Sequence, residues 1–149
     1  MITLNQIKDA IVGKLAKGGF RVFDERIRAP DLAQGAVVQV MLEPLTSQIV
    51  GGGIYEERSL MADCAWVEAE VSPLGAMYDA VEGMGRALQP GIPVGNRQLR
   101  LENCRYNLAD GVAHYLFDLH YTDRIVEEDD YEYMATLKIE TEESNHGNA

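Results

Sequence analysis

The chain reads as an α+β protein: a mostly antiparallel β-sheet with two main helices packed on one face. Three observations predict it. Residues 97–106 and 112–122 are extended runs on either side of Asp110-Gly111, a pair that suits a type I′ turn because both residues tolerate positive φ. Two other segments, starting at Thr3 and Ser72, carry apolar residues at helical spacing. The order helix, strands, helix, strands is that of segregated elements rather than alternating βα units.

The central hairpin organises the rest. In its second arm Ala113, Tyr115, Phe117, Leu119 and Tyr121 share one face, and Val112, His114, Leu116, Asp118 and His120 the other. One face is apolar and aromatic and the other mixed, which describes a strand packed on a core and partly wet on its far side.

Taken in order, the chain opens with Thr3 as N-cap and Gln6 three residues on, a capping-box pattern. Leu4, Ile7, Ile11 and Leu15 follow at helical spacing, widened by Ala10 and Val12. Lys14 and Lys17 suit the negative end of the dipole, and Gly18-Gly19 ends the helix. Residues 20–24 read as a short strand and 25–35 as polar connection. Residues 36–45 read as a valine-rich central strand ended by Pro44, followed by a loop over 46–53 whose Gly51-Gly52-Gly53 tip is flexible. That tip is no phosphate cradle: it lacks the GxxxxGK spacing and a following helix.

Residues 55–71 form a long extended run, with Leu60, Ala62, Cys64 and Trp66 on one face and Ser59, Met61, Asp63, Ala65 and Val67 on the other. Ser72-Pro73 reads as an N-cap followed by proline at the first helical position, and Leu74, Met77, Tyr78, Val81 and Leu88 as the buried stripe of a second helix. Gly75, Gly83 and Gly85 each cost that helix about 1 kcal/mol against alanine, which implies close packing on the sheet. Residues 89–96 read as a loop, 124–130 as an acidic connection, 131–140 as a last strand and 141–149 as a disordered polar tail. Residues 1–140 are therefore expected to be one domain.

At 149 residues the chain is long enough to bury a core, and it has no apolar run near the ~20 residues of a membrane span and no basic-then-apolar leader pattern. Its net charge is −11. Eight acids and one lysine lie in residues 127–149, a net of −7, which leaves −4 for the first 126 residues. Such a chain repels a phosphate backbone, which argues against nucleic-acid binding through a basic face. Cys64 and Cys104 both fall in strand-like apolar patterns and read most simply as free core thiols of a cytoplasmic protein, with a disulfide as the alternative.

Few residues suggest chemistry. Asp118 and His120, two apart on one strand face and roughly 6–7 Å from each other, could offer a metal two ligands, whereas His114 stands roughly 13 Å from Asp118. These residues read chiefly as the wet side of a sheet. The run Glu127, Glu128, Asp129, Asp130 lacks the alternating ligands and internal glycine of a calcium loop and reads as solvated. No serine or cysteine sits in a nucleophile elbow. Arg58, Arg97, Arg100, Arg105 and Arg124 lie at or near strand termini and sheet faces; they are either solvated singly or form a basic edge that neutralises an acidic edge of a neighbouring subunit.

Across residues 1–140 the layout resembles the tail terminator (tail completion) proteins of long-tailed bacteriophages, in particular the small ones encoded beside the sheath and tube proteins. The likeness is carried by the opening helix over residues 1–11 and the strand ending Val40-Met41-Leu42-Glu43-Pro44-Leu45. It continues in the segment Tyr55-Glu56-Glu57-Arg58-Ser59-Leu60, the hairpin Asp110-Gly111-Val112-Ala113-His114-Tyr115 and the closing residues 131–140. The Gly51-Gly52-Gly53 tip and the glycine-rich second helix depart from it. The resemblance implies a structural virion protein without catalysis, cofactor or metal. Similar proteins form a hexameric ring on the head-proximal end of the tail tube, stop its polymerisation and present a docking surface to the neck. Expected partners are further copies of the chain, the tube protein, with the sheath as a further candidate, and the neck or head completion protein, with DNA passing through the lumen without specific binding and no membrane contact. On this resemblance Gln48, Val50, Gly51, Gly52, Gly53 and Tyr55 would form a docking loop, and Glu127, Glu128, Asp129 and Asp130 would face the lumen or a partner. The alternatives are a neck connector or minor tail protein, a small metal-dependent enzyme using Asp118 and His120, and an adaptor domain with no virion role.

Overall fold

A computed structural model describes residues 1–125. The expected strand over 131–140, the acidic run Glu127 to Asp130 and the tail over 141–149 lie outside the described residues. Within them the α+β architecture holds, with a mostly antiparallel sheet and three helices.

Helix α1, Leu4–Lys17, starts as its sequence dictates. The Gln6 amide donates to Thr3 Oγ1 and the Thr3 amide to Gln6 Oε1, closing the capping box. Its stripe of Ile7, Ile11 and Leu15 is fully buried, at roughly 1.5–3 kcal/mol for each side chain. The residues after α1 form β1, Val22–Phe23, and a single helical turn, α2, Ala29–Leu32, where polar connection was expected.

The main sheet has five strands, with β1 at one edge. Strands β2, Val37–Val50, and β3, Tyr55–Val67, pair antiparallel along their whole length, and β3 pairs in turn with β7, Val112–Arg124. Strand β6, Glu102–Ala109, closes the far edge against β7. The β6–β7 connection is the expected turn, with Asp110 at φ 53° and Gly111 at φ 74°. Helix α3, Leu74–Leu88, lies with α1 on one face of the sheet: α1 packs on β2 and α3, and α3 on β7 and β3.

The core is the layer between helices and sheet. Ala113, Tyr115, Phe117, Leu119 and Tyr121 are buried there, as their alternation predicts, beside Leu60, Ala62, Cys64 and the α3 residues Met77, Val81, Met84 and Leu88. Trp66, half-buried, closes the layer where β3 pairs with Val38 and Ala113. Two of the α3 glycines owe their place to close approach: a Cβ at Gly83 would stand 3.0 Å from the Phe20 ring and one at Gly85 3.2 Å from the Tyr115 ring. Gly75 faces open space, so its cost has no such return.

Several expectations fail for identifiable reasons. The strand does not end at Pro44. It continues to Val50, because Pro44 lies beyond the reach of β1 and has no outer neighbour among the described residues, and the register shifts between Pro44 and Thr46. The loop expected over 46–53 is therefore strand up to Val50, with only residues 51–54 turning, and β2 is central only where β1 covers Val38 and Gln39. The loop expected over 89–96 contains β4, Gly91–Val94, which pairs with β5, Arg97–Arg100, in a separate two-stranded sheet. The first hairpin arm is accordingly two strands, divided at Leu101. Ser72 does not cap α3: its hydroxyl donates to Glu68, and Pro73 takes the cap position. Leu74 and Tyr78, expected in the buried stripe, are exposed. Cys104 is exposed too, because the bulge between Glu102 and Arg105, with Asn103 at φ 49°, interrupts the alternation.

The carboxyl end of α3 is tied down from another element. Lys14 Nζ, on α1, donates to the carbonyls of Leu88, Gln89 and Gly91 at 3.0, 3.1 and 2.6 Å. One cation thus satisfies the last acceptors of a helix and fixes the turn into β4.

Candidate docking edges and the open face of the sheet

The residues expected to form a docking loop come together at the tip of the β2–β3 hairpin, on strands rather than in a loop. Val50 pairs with Tyr55 and Gln48 with Glu57, and Gly51, Gly52 and Gly53 turn the chain at φ 62°, 69° and 89°. Three successive left-handed residues explain the three glycines. The Tyr55 ring lies over the first of them, where a Cβ on Gly51 would stand 2.8 Å from it. Leu45, Ile49, Ile54 and Tyr55 are all exposed along this arm. Pro44 hid the arm from sequence reasoning; the β-prone run on its far side was the signal for it.

The face of the sheet away from the helices holds the expected chemical candidates. His114 Nδ1 lies 2.8 Å from Asp63 Oδ1, across the β3–β7 pair. Asp118 Oδ1 accepts from both Arg105 Nη atoms at 3.3 Å, and its other oxygen from Asn103 Nδ2 at 3.1 Å. Asp118 is thus already engaged by a guanidinium, while His120 stands exposed opposite Ser59. Among the described residues no three His, Cys, Asp or Glu side chains gather as a metal would need. Burial pushes the Cys64 thiol well above its ordinary range, which removes it as a nucleophile.

At the end of the sheet a partly buried network that sequence reasoning missed joins four segments. Asp123 accepts from the Ile2 amide at 2.8 Å and from Arg97 Nη1 at 2.7 Å, and Arg58 Nη1 donates to the Ile2 carbonyl at 3.2 Å. The guanidinium groups of Arg58 and Arg97 both approach the Tyr121 ring, 5.7 and 6.0 Å from its centre. Of the five arginines singled out from sequence, Arg58, Arg97 and Arg105 are therefore used within the fold. Arg100 and Arg124 are exposed.

At the opposite edge, Val71, Leu74 and Tyr78 expose an apolar stripe on and before α3, and Tyr106 on β6 is exposed beside the Tyr115 ring. A family model described as phage tail terminator protein matches residues 6–131, and the chain belongs to that family. Its members are structural proteins of phage tails, which points away from enzymatic activity. No curated protein matches the chain. One solved chain aligns at 10% identity and a TM-score of 0.44, covering 85% of this chain and 99% of its own length, a likeness too distant to inform function. No described helix is long and apolar enough to cross a membrane.

Proposed function

We propose that this chain is the terminator of a phage tail: a subunit of a ring, hexameric by analogy with similar proteins, that caps the head-proximal end of the tail tube. The ring stops tube polymerisation and offers the surface on which the neck docks. The observation that carries this reading is the family match over residues 6–131. The anatomy agrees with it: a sheet packed on its helices, a projecting hairpin and two edges left open among the described residues are what a ring subunit requires. In this role the tip residues Gln48 to Tyr55 meet the tube or the neck, and the acids Glu127, Glu128, Asp129 and Asp130 face the lumen or a partner. Acidic side chains there let DNA slide past, because no counterion release drives adhesion. The chain acts in the virion after assembly in the host cytoplasm, without cofactor or catalysis.

The test is to mix the purified chain with growing tail tubes and image them by negative stain. Tubes capped at one end with elongation arrested are expected. Bare tubes that grow unchecked would refute the terminator role and favour a neck or connector subunit.

A further inference from the structure

We infer that the chain's own residues 131–140 return along the outer edge of β2 as a further antiparallel strand of the main sheet. In that place Tyr133, Ala135, Leu137 and Ile139 fill the groove between this edge and α1.

The first observation is where the described chain ends. The Ile125 amide donates to the Ile54 carbonyl at 2.7 Å, beside the turn of the β2–β3 hairpin. Strands β2 and β7 both run toward that turn, since Val50 and Arg124 each pair with Tyr55. A chain that doubles back from Ile125 is therefore antiparallel to β2. Beside β6, which already runs away from the turn, it would be parallel, a slightly weaker pairing. From β7 to a place outside β2 is three strand spacings, roughly 14 Å. Residues 126–131 reach roughly 20 Å when extended, enough to round the turn.

The second observation is the groove. Strand β1 pairs with β2 only at Val38 and Gln39, so among the described residues no strand lies beside β2 from Leu42 to Val50. Between this edge and α1 lie two adjoining hollows of about 190 and 320 Å³ that share Leu4 and Pro44. Val40, Leu42, Leu45 and Leu60 complete their apolar lining.

The third is the match of faces. Leu42 and Pro44 point to the helix side with their partners Ala62 and Leu60, and past the register shift Ser47 and Ile49 do so opposite Arg58 and Glu56. A regular strand that passes the shift as β3 does sets Ile139, Leu137, Ala135 and Tyr133 opposite Leu42, Pro44, Ser47 and Ile49. Lys138, the single lysine of residues 127–149, then stands opposite Glu43 on the other face. A slip of one residue would turn all four apolar side chains to the wet face. Pro44 removes one donor from this ladder, but a bulge is where an inner strand tolerates proline, and the register shifts beside it. The sheet's free edge moves outward to residues 131–140. The acids Glu127, Glu128, Asp129 and Asp130 cross beside the hairpin tip, so they and Gln48 to Tyr55 belong to one surface.

Disulfide trapping in the full-length chain tests the placement. On a Cys104→Ser background, with Cys64 buried, Glu43→Cys and Lys138→Cys are introduced together and the dilute protein is oxidised with diamide; circular dichroism checks the fold. The expected product is a monomer closed by an internal disulfide, with both thiols lost to maleimide. Lys138→Cys combined with Asn107→Cys on β6 should stay reduced. No link at Glu43→Cys would overturn the proposal, as would a link at Asn107→Cys, which marks the β6 edge. Links formed only between chains would overturn it too, because the segment would then lie on a neighbour. Hydrogen exchange gives a second readout. The Leu42 amide points outward, as does that of Val38, which donates to the Arg21 carbonyl. It should exchange about tenfold faster in Leu137→Asp than in the parent, while the Leu119 amide in β7 keeps its rate. Equal rates at Leu42 would overturn the placement. The tube-capping assay does not depend on either result, so failure here leaves the terminator reading standing.

Discussion

Asp123 is the residue on which the end of the sheet depends. Its side chain is 7% exposed and holds two donors from distant segments, the Ile2 amide at 2.8 Å and Arg97 Nη1 at 2.7 Å. Replacing Asp123 with alanine removes a charge-assisted bond to each. A hydrogen bond to a charged group contributes about 1.5–3 kcal/mol, and a buried donor left without a partner costs about 1–3 kcal/mol. Arg97, with its side chain 39% exposed, can recover water, so its share falls toward the low end. The Ile2 amide cannot, since Ile2 is buried. The sum is a loss of about 3 kcal/mol for Asp123→Ala. Asp123→Asn keeps the shape and one acceptor and should lose about half of that, and Arg97→Met about 1 kcal/mol. Urea unfolding followed by circular dichroism measures this order through the midpoints, provided the slope m is shared. An Asp123→Ala midpoint within about 0.5 kcal/mol of the parent would refute the reasoning, because the network would then be ornamental.

Three further outcomes follow from particular contacts. The Tyr121 hydroxyl is buried with no hydrogen-bond partner among the described residues, so Tyr121→Phe should leave stability unchanged or raise it by up to about 1 kcal/mol; a lower melting temperature would expose a missing partner. Gly75→Ala, in open space at the start of α3, should stabilise by up to about 1 kcal/mol, while Gly91→Ala, whose Cβ would stand 2.5 Å from the Leu99 carbonyl oxygen, should cost about 2 kcal/mol or more in the same thermal scan. Burial, and then the hydrogen bond to Cys104, raise the Tyr115 hydroxyl above its ordinary value of 10.0. The folded state thus binds this proton more tightly than the unfolded one, and the stability involved is complete below pH 10 and declines above it. The melting temperature should fall above pH 10 and fall less steeply in Tyr115→Phe; equal slopes would assign the decline to other groups.

Much of this architecture is written locally. Thr3 and Gln6 specify the start of α1 because both partners of the capping box lie within one turn, and Asp110-Gly111 specifies the β6–β7 turn because its backbone conformation is set by those two residues. The alternation from Ala113 to Tyr121 predicts burial because β7 pairs with β3 from Ala113 to Arg124 without a break in register. What local pattern could not supply was neighbourhood. Pro44 ends a strand only if its missing donor is needed, and among the described residues no strand lies on its outer side to need it. The apolar spacing of Leu74 and Tyr78 marks a helix correctly, but which apolar residues it buries depends on how far the sheet extends beneath it. Cys104 follows an alternation that one bulge displaces. The Asp123 network joins residues 2, 58, 97 and 123, and no periodicity records such a meeting. The tip residues Gln48 to Tyr55 were visible as a glycine-rich segment, whereas the arm that carries them was not.

The position of Trp66 has a spectroscopic consequence. It is the chain's single tryptophan, and it packs against the core eleven residues along β3 from Tyr55, roughly 36 Å at 3.3 Å per residue. Its emission therefore reports on the integrity of the helix–sheet layer and is blind to events at the hairpin tip. A tryptophan introduced at Ile54 would give a second emitter in the turn itself. Excited together, the two would separate loss of the fold from engagement of the tip in a single titration.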